Sequence, residues 1–186
     1  MEKNKKTLLR QGFEGQGKIP VGILGATGMV GQRLFSLLDN HPWFEVAALA
    51  ASRNSKGKKL GSFTVLSIED DIGEISKNCK IVFSAIDADK DFIKAIEEAY
   101  AAKGLAVISN NSAHRWTSDV PMIIPEINPH HLDIIPIQRK NRGWTTGFIV
   151  TKPNCSIQSY VPLLHAWEKL IPKRVIVSTF QAISGA

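Results

Sequence analysis

The stretch IPVGILGATGMVGQRLFSLLDNHP, residues 19–42, constrains the architecture more than any other part of the chain. A short apolar run rich in Val and Ile ends in glycine and reads as a buried strand. After the turn, Val30, Leu34, Leu37 and Leu38 share one helical face until Asn40 and Pro42 stop it. Gly22, Gly25, Gly28 and Gly31 recur at every third residue through this junction. Small residues there let the backbone approach a pyrophosphate and let the helix pack on the strand, while the helix N-terminus offers unpaired N–H groups and a positive dipole to an anion. The pattern predicts dinucleotide binding by Gly25, Ala26, Thr27, Gly28, Met29 and Val30; the alternative is a tight turn that only packs helix on strand.

Strand and helix signals then alternate. Residues 44–52, 79–86 and 105–110 read as strands, and the lack of polar alternation in 79–86 predicts burial on both faces. Residues 89–104 read as a helix with an acidic start and a Lys-Gly end. This order predicts an α/β fold: a Rossmann-type, doubly wound, mostly parallel sheet with right-handed crossovers. The domain is expected over residues 18–150, behind a disordered lead-in at 1–17. Residues 121–135 predict a proline-punctuated connection with one more short strand, and 147–155 a strand running into Cys155. Residues 156–170 have a helical pattern, with Val161, Leu163 and Leu164 beside Trp167; beyond Pro172 a β-branched strand runs toward the last residue. Residues 151–186 are thus expected to carry the cysteine helix and first strand of a second, incomplete α+β domain.

Composition removes several function classes. No run approaches the roughly 18 consecutive apolar residues of a membrane span, and the opening 18 residues hold charge and glycine without an apolar signal core. Cys79 and Cys155 form no C-x-x-C and have no histidine at ligand spacing, so neither a disulfide framework nor a metal site is predicted, and a reducing cytoplasm fits. The net charge of +6 is scattered, and its clusters at 52–59 and 138–142 lack the aromatic interleaving of a single-strand platform. Solvated surface is the reading for most of these lysines, with no nucleic-acid or membrane partner expected.

The end of the second strand bears on cofactor choice, because an acidic residue there accepts hydrogen bonds from the ribose 2′-hydroxyl of NAD. The sequence at this point is Ala51-Ser52-Arg53-Asn54-Ser55-Lys56, with no carboxylate. Ser52, Arg53, Ser55 and Lys56 therefore predict NADP through its 2′-phosphate; an ordinary basic surface loop is the alternative. Ser84 and Ala85 end another strand with small residues that suit close approach to the cofactor or simple sheet packing. Asn110 and Asn111, within Ser109–Ser112, follow a strand at the edge where α/β folds bind ligands, and suit cofactor and phosphate. Cys155 stands one step after Pro-Asn at a helix start, where dipole and free N–H groups stabilise a thiolate for acyl attack. Packing is the alternative for any isolated cysteine, and Cys79 takes it.

Taken in order, GILGATGMVGQRL, AASRNSKGK, SNNSAHRW, IPEINPHHLD, RGWTTGFIVTKPNCS and TFQAISGA resemble aspartate-semialdehyde dehydrogenase, in the branch shared by archaea, fungi and some bacteria. The match spans about residues 18–186, and the family's chain normally continues well beyond this end. The resemblance implies an NADP-dependent enzyme of amino-acid biosynthesis toward lysine, threonine and methionine, a homo-oligomer at full length, acting on an acyl phosphate and phosphate. It gives Cys155 the thioester, Asn154 part of the oxyanion environment, Gln181 substrate orientation and Arg115 the phosphate. None of His114, His130, His131 and His165 matches the family's base position, which lies further along its chain. Sister acyl reductases remain as alternatives: N-acetyl-γ-glutamyl-phosphate reductase, which usually has Gly where this chain has Asn154, and malonyl-CoA reductase. So does an NADP-binding module without turnover, since the chain shows neither an acid–base partner nor a closed site.

Overall fold

A computed structural model describes residues 17–180. Its centre is a six-stranded, wholly parallel sheet: β1 (Ile19–Leu24), β2 (Phe44–Ala51), β5 (Leu66–Ser67), β6 (Ile81–Ser84), β7 (Ala106–Ser109) and β8 (Phe148–Thr151), in the spatial order β5-β2-β1-β6-β7-β8. A two-stranded antiparallel hairpin, β3 (Lys59–Leu60) with β4 (Phe63–Thr64), sits in the connection from β2 to β5. The helices are α1 (Met29–Leu37), α2 (Ile72–Asn78), α3 (Lys90–Ala102), α4 (Ile135–Arg142) and α5 (Cys155–Ala166). The expected doubly wound α/β class is the one observed.

Two apolar clusters explain the winding. On one face Val21, Ile23, Leu38 and Leu49 bury against Leu34 and Phe35 of α1 and against Phe44, Phe63 and Phe83. On the other, Leu24, Ala50, Ile75, Val82, Ile93, Tyr100, Val107 and Ile149 close α2 and α3 over the sheet. Alternate residues of β1 feed opposite clusters, which is why this strand reads as continuously apolar. Within α1 the expected face is only partly right: Leu34 and Leu38 point inward with Phe35, whereas Val30 and Leu37 are exposed. Cys79 lies in the second cluster, and burial pushes its thiol up to about 11.

The outer edge of β8 is covered at Thr151 by the backbone of residues 121–123 and at Ile149 by a side chain. Gln138 of α4, fully buried, accepts from Ile149 N at 2.7 Å and donates to Ile149 O at 3.0 Å and to Asp119 O at 2.7 Å. Its carboxamide imitates a ladder partner and closes the edge. Nearby, Arg142 grips Asp119 through two hydrogen bonds of 2.8 and 2.9 Å and reaches Glu98 at 2.7 Å. That bidentate hydrogen bond holds the Asp119 carboxyl below the usual carboxylate range. A depressed folded pKa contributes stability that is present above the unfolded value, about 3.9, and is lost as pH falls through the folded one. Asp119→Asn should therefore cost about 1–3 kcal/mol at neutral pH, with the gap to the parent closing below about pH 4 in acid-titrated denaturant melts.

Other expectations need correction. The short strand predicted within 121–135 is a single bridge, Met122 to Thr151. The helix predicted over 156–170 ends at Ala166 and is followed by a 3-10 turn at Glu168–Leu170. Residues 174–180 form no strand and lie exposed, because the described residues supply no neighbouring strand to complete a ladder. The expected lead-in falls outside the described residues except for Gly17, as does Gln181.

Candidate active site

All six strands run the same way, so their C-terminal ends and following loops share one edge of the sheet. The chain leaves β1 toward β2 on one side and β6 on the other, and the crevice at that reversal is where open α/β sheets take ligands. A cavity of about 190 Å³ lies there, lined by Gly25, Thr27, Gly28, Ser52, Glu69, Ala85, Asp87 and Phe92, among others.

The glycine loop has the geometry of a cradle. Gly25 takes φ +83°, and a Cβ on it would overlap the Ala85 carbonyl, so strands β1 and β6 meet here backbone to backbone. A Cβ on Gly31 would overlap the carbonyl of Gly25 and come within 2.7 Å of Ala26 Cα, so the first turn of α1 also rests directly on the loop. Gly28 is tight as well, a Cβ on it lying only 3.3 Å from Gly25 O; it is the N-cap of α1, and no side chain caps that helix end. The first N–H groups of α1 thus face the loop without a side-chain acceptor. Of the other residues predicted here, Ala26 is fully buried, and Met29 and Val30 are exposed outside the cavity lining.

At the ribose end the structure departs from the expectation. Only Ser52 of the predicted set lines the cavity. Ser55 is buried, and its hydroxyl accepts from Lys58 at 3.4 Å; Lys56 pairs with Asp71 at 2.8 Å. Arg53 is held by Asp70 at 2.9 Å and by Glu69 at 3.0 Å. The carboxylates missing from the end of β2 arrive from the turn after β5, which pairs with β2 at Ala50–Leu66 and Ala51–Ser67. Sequence separation concealed them; Glu69-Asp70-Asp71 as an acidic run before a helix was the available signal.

Further along the edge, Ser84 is fully buried, and its hydroxyl accepts from Asn111 Nδ2 at 3.0 Å. The same amide donates to Glu97 Oε1 at 3.0 Å, which also accepts from Ser109 Oγ at 2.7 Å. Asn111 therefore braces the ends of β6 and β7 from beneath, and neither it nor Ser84 projects its polar group into the cavity. Asn110 donates its N–H to Ser84 O at 2.8 Å and offers its carbonyl to Arg115 Nη2 at 3.4 Å. His114 is also fully buried, with Nδ1 3.2 Å from Thr117 Oγ1, and burial favours its neutral form.

Cys155 is the first residue of α5 and is exposed. Asn154 is its N-cap: Oδ1 accepts from Ser156 N at 2.9 Å and lies 3.8 Å from Cys155 Sγ. Arg115 reaches across from the β7 side, donating Nε to Lys152 O at 3.1 Å, and so ties the Asn110 loop to the cysteine loop. Lys152, absent from the sequence-based set, is half-buried; burial first, then the Arg115 charge, lowers its pKa, while Cys155 opposes that shift. The thiol thus opens a helix beside two cations. With β1 and β8 three strand spacings apart, the cysteine loop lies about 14 Å along the edge from the glycine loop. Iodoacetamide should label Cys155 in the folded chain and Cys79 only after denaturation, as read by mass spectrometry of the two peptides; earlier labelling of Cys79 would remove Cys155 from the site.

Residues 20–135 match the family model described as "Semialdehyde dehydrogenase, NAD binding domain". The aspartate-semialdehyde dehydrogenase of Archaeoglobus fulgidus is 43% identical over 89% of this chain and 51% of its own length. The malonyl CoA reductase (NADP) of Metallosphaera sedula is 36% identical over 90% of this chain and 50% of its own. Among solved structures, the aspartate semialdehyde dehydrogenase of Candida albicans with NADP superposes with a TM-score of 0.69 at 35% identity, covering 84% of this chain and 48% of that one. The chain spans about half the length of the curated relatives it matches.

Proposed function

Because this chain belongs to the semialdehyde dehydrogenase family through its NAD-binding domain, we propose that the full-length protein reduces L-aspartyl 4-phosphate to L-aspartate 4-semialdehyde with NADPH, through a thioester on Cys155. The observation that carries the reading is the exposed thiol at the start of α5, beside Arg115 and Lys152, on the same sheet edge as the glycine cradle. Gly25, Thr27, Gly28, Ser52 and Ala85 would hold the dinucleotide, and the cradle fits one: Gly25 and Gly31 have no room for side chains, and the α1 N-terminus is open to phosphate.

Cys155 Sγ attacks the acyl carbon, forming the C–S bond as the C–O bond to phosphate breaks and phosphate leaves with the electron pair. Arg115 and Lys152 neutralise the leaving dianion, Arg115 through guanidinium donors not spent on the two carbonyls it ties together. With Oδ1 of Asn154 spent on the helix cap, its Nδ2 is the donor it offers to the developing oxyanion. A dinucleotide held by Gly25, Thr27, Gly28, Ser52 and Ala85 would supply the hydride that takes the thioester to aldehyde, with Cys155 Sγ leaving as thiolate.

The deciding experiment is NADP reduction with aspartate semialdehyde and phosphate, run on this chain and on a chain of the relatives' full length. Turnover by the longer chain supports the reading. Turnover with malonyl-CoA instead would move it to the sister reductase, which the 36% identity to the Metallosphaera enzyme keeps in view. Cofactor binding without any turnover would leave a binding module. In the longer chain Arg115→Lys should raise the phosphate KM about tenfold or more with NADP affinity near normal, because a point charge cannot reproduce bidentate pairing.

A further inference from the structure

Two polar atoms are buried between α3 and the loop after β7: Glu97 Oε2 and His114 Nε2, neither of which makes a hydrogen bond of ordinary geometry among the described residues. They lie 4.0 Å apart on side chains that are fully buried. The other oxygen of the carboxylate is well used, since Oε1 accepts from Ser109 Oγ at 2.7 Å and from Asn111 Nδ2 at 3.0 Å. A carboxylate without exposure is costly, and every donor turned toward it lowers that cost. The neutral imidazole favoured by burial has one N–H to give. With Nδ1 3.2 Å from the Thr117 hydroxyl, which can donate to it, the ring proton belongs on Nε2, facing Glu97 and, at 3.9 Å, Glu98 Oε1. The Lys94 carbonyl and Arg142 complete the polar surroundings of the ring.

One carboxylate thus reaches residues 109, 111 and 114, and Arg115 is next in the chain. The bonds of the Arg115 guanidinium go to two carbonyls, Nε to Lys152 O at 3.1 Å and Nη2 to Asn110 O at 3.4 Å, and to no carboxylate among the described residues. Asn110 lies between the two residues that bond Glu97 Oε1, so its carbonyl stands where the carboxylate holds it. A guanidinium aimed by carbonyls keeps its full charge for an anion, whereas one aimed by a carboxylate would be neutralised. We infer that Glu97 is a positioning residue for the anion site: through Ser109, Asn111 and His114 its buried carboxylate clamps residues 109–114 and so aims Arg115 at the phosphate. The inference rests on the phosphate role given to Arg115 above, while the clamp itself can be measured without it.

Hydrogen exchange at the Arg115 Nε–H, read by NMR of the isotope-labelled 186-residue chain, tests the clamp without turnover. Glu97→Gln sets a donor against His114 Nε2–H and should speed this exchange about tenfold, while the amides of Ile23 and Val82 in the central strands keep their rates within about threefold. His114→Phe, which leaves Glu97 Oε2 no donor, should act in the same way. His114→Gln, whose amide can donate from nearly the same place, should restore the parental rate. In a chain of the relatives' full length, Glu97→Gln should raise the phosphate KM about fivefold with the NADP KM unchanged. Arg115 exchange that stays at the parental rate in both Glu97→Gln and His114→Phe overturns the inference. So does faster exchange that Ile23 and Val82 share, which would make Glu97 a core group only. Faster Arg115 exchange with an unchanged phosphate KM overturns it as well, by removing the phosphate role of Arg115, and leaves the Cys155 reading standing. If Glu97→Gln does not fold, the comparison of His114→Phe with His114→Gln carries the test.

Discussion

Cys155→Ser in a chain of the relatives' full length should lower kcat by at least about 10⁴-fold while leaving fold and dinucleotide affinity unchanged. Sulfur and oxygen differ little in volume at this exposed position, and the helix cap belongs to Asn154, so the start of α5 survives the exchange. The hydroxyl fails for a chemical reason. An alcohol carries almost no alkoxide near neutral pH, whereas a cysteine is intrinsically far more nucleophilic, and the carboxamide oxygen of Asn154, 3.8 Å from Sγ, is no base. The imidazole of His114 is fully buried, and that of His165 lies 3.4 Å from Glu168. Stopped-flow measurement of phosphate release separates the acylation step: no burst is expected from the serine variant. Retention of more than a tenth of parental kcat would end the nucleophile assignment.

Gly25→Ala should destabilise the chain by about 2–5 kcal/mol and abolish dinucleotide binding. A left-handed φ costs an L side chain about 1–2 kcal/mol, and forcing a methyl onto the Ala85 carbonyl adds about 1–3 kcal/mol, because backbone on both sides leaves nothing flexible to move. At about 2–4 °C per kcal/mol, the melting temperature falls by roughly 5–20 °C. Gly57→Ala is the control: its φ of +85° is nearly the same, yet nothing lies within 4 Å of its Cβ position. The excess loss in Gly25→Ala isolates the contact between β1 and β6. Equal losses from circular-dichroism melts would mean that the two strands do not meet as closely as the cradle requires.

Local chemistry made much of this legible in the linear chain. The apolar run at 19–24, the glycine spacing and the helix start at Cys155 are each decided within a few residues, the last by the Asn154 side chain bonding two residues ahead. Alternating strands and helices then left few arrangements beyond a parallel doubly wound sheet. Side-chain reach was less legible. Ser84 and Asn111 look like cavity residues by position, but a buried carboxylate at Glu97 draws Asn111 downward, and Glu97 is hidden within an ordinary helical pattern.

The sequence by itself determined that a strand–glycine–helix unit opens the fold and that Cys155 begins a helix, because both depend on neighbours in the chain. Only the tertiary structure decided what surrounds Arg53 and Cys155. Parallel pairing of β5 with β2 sets Glu69 and Asp70, 16 and 17 residues downstream by number, against an arginine that looks free in the linear chain. Arg115 likewise meets Lys152 only because β7 and β8 lie side by side, and their ladder carries the Asn110 loop to the cysteine loop. Charge environments are set by what the sheet brings together across distance, and no local signal encodes that.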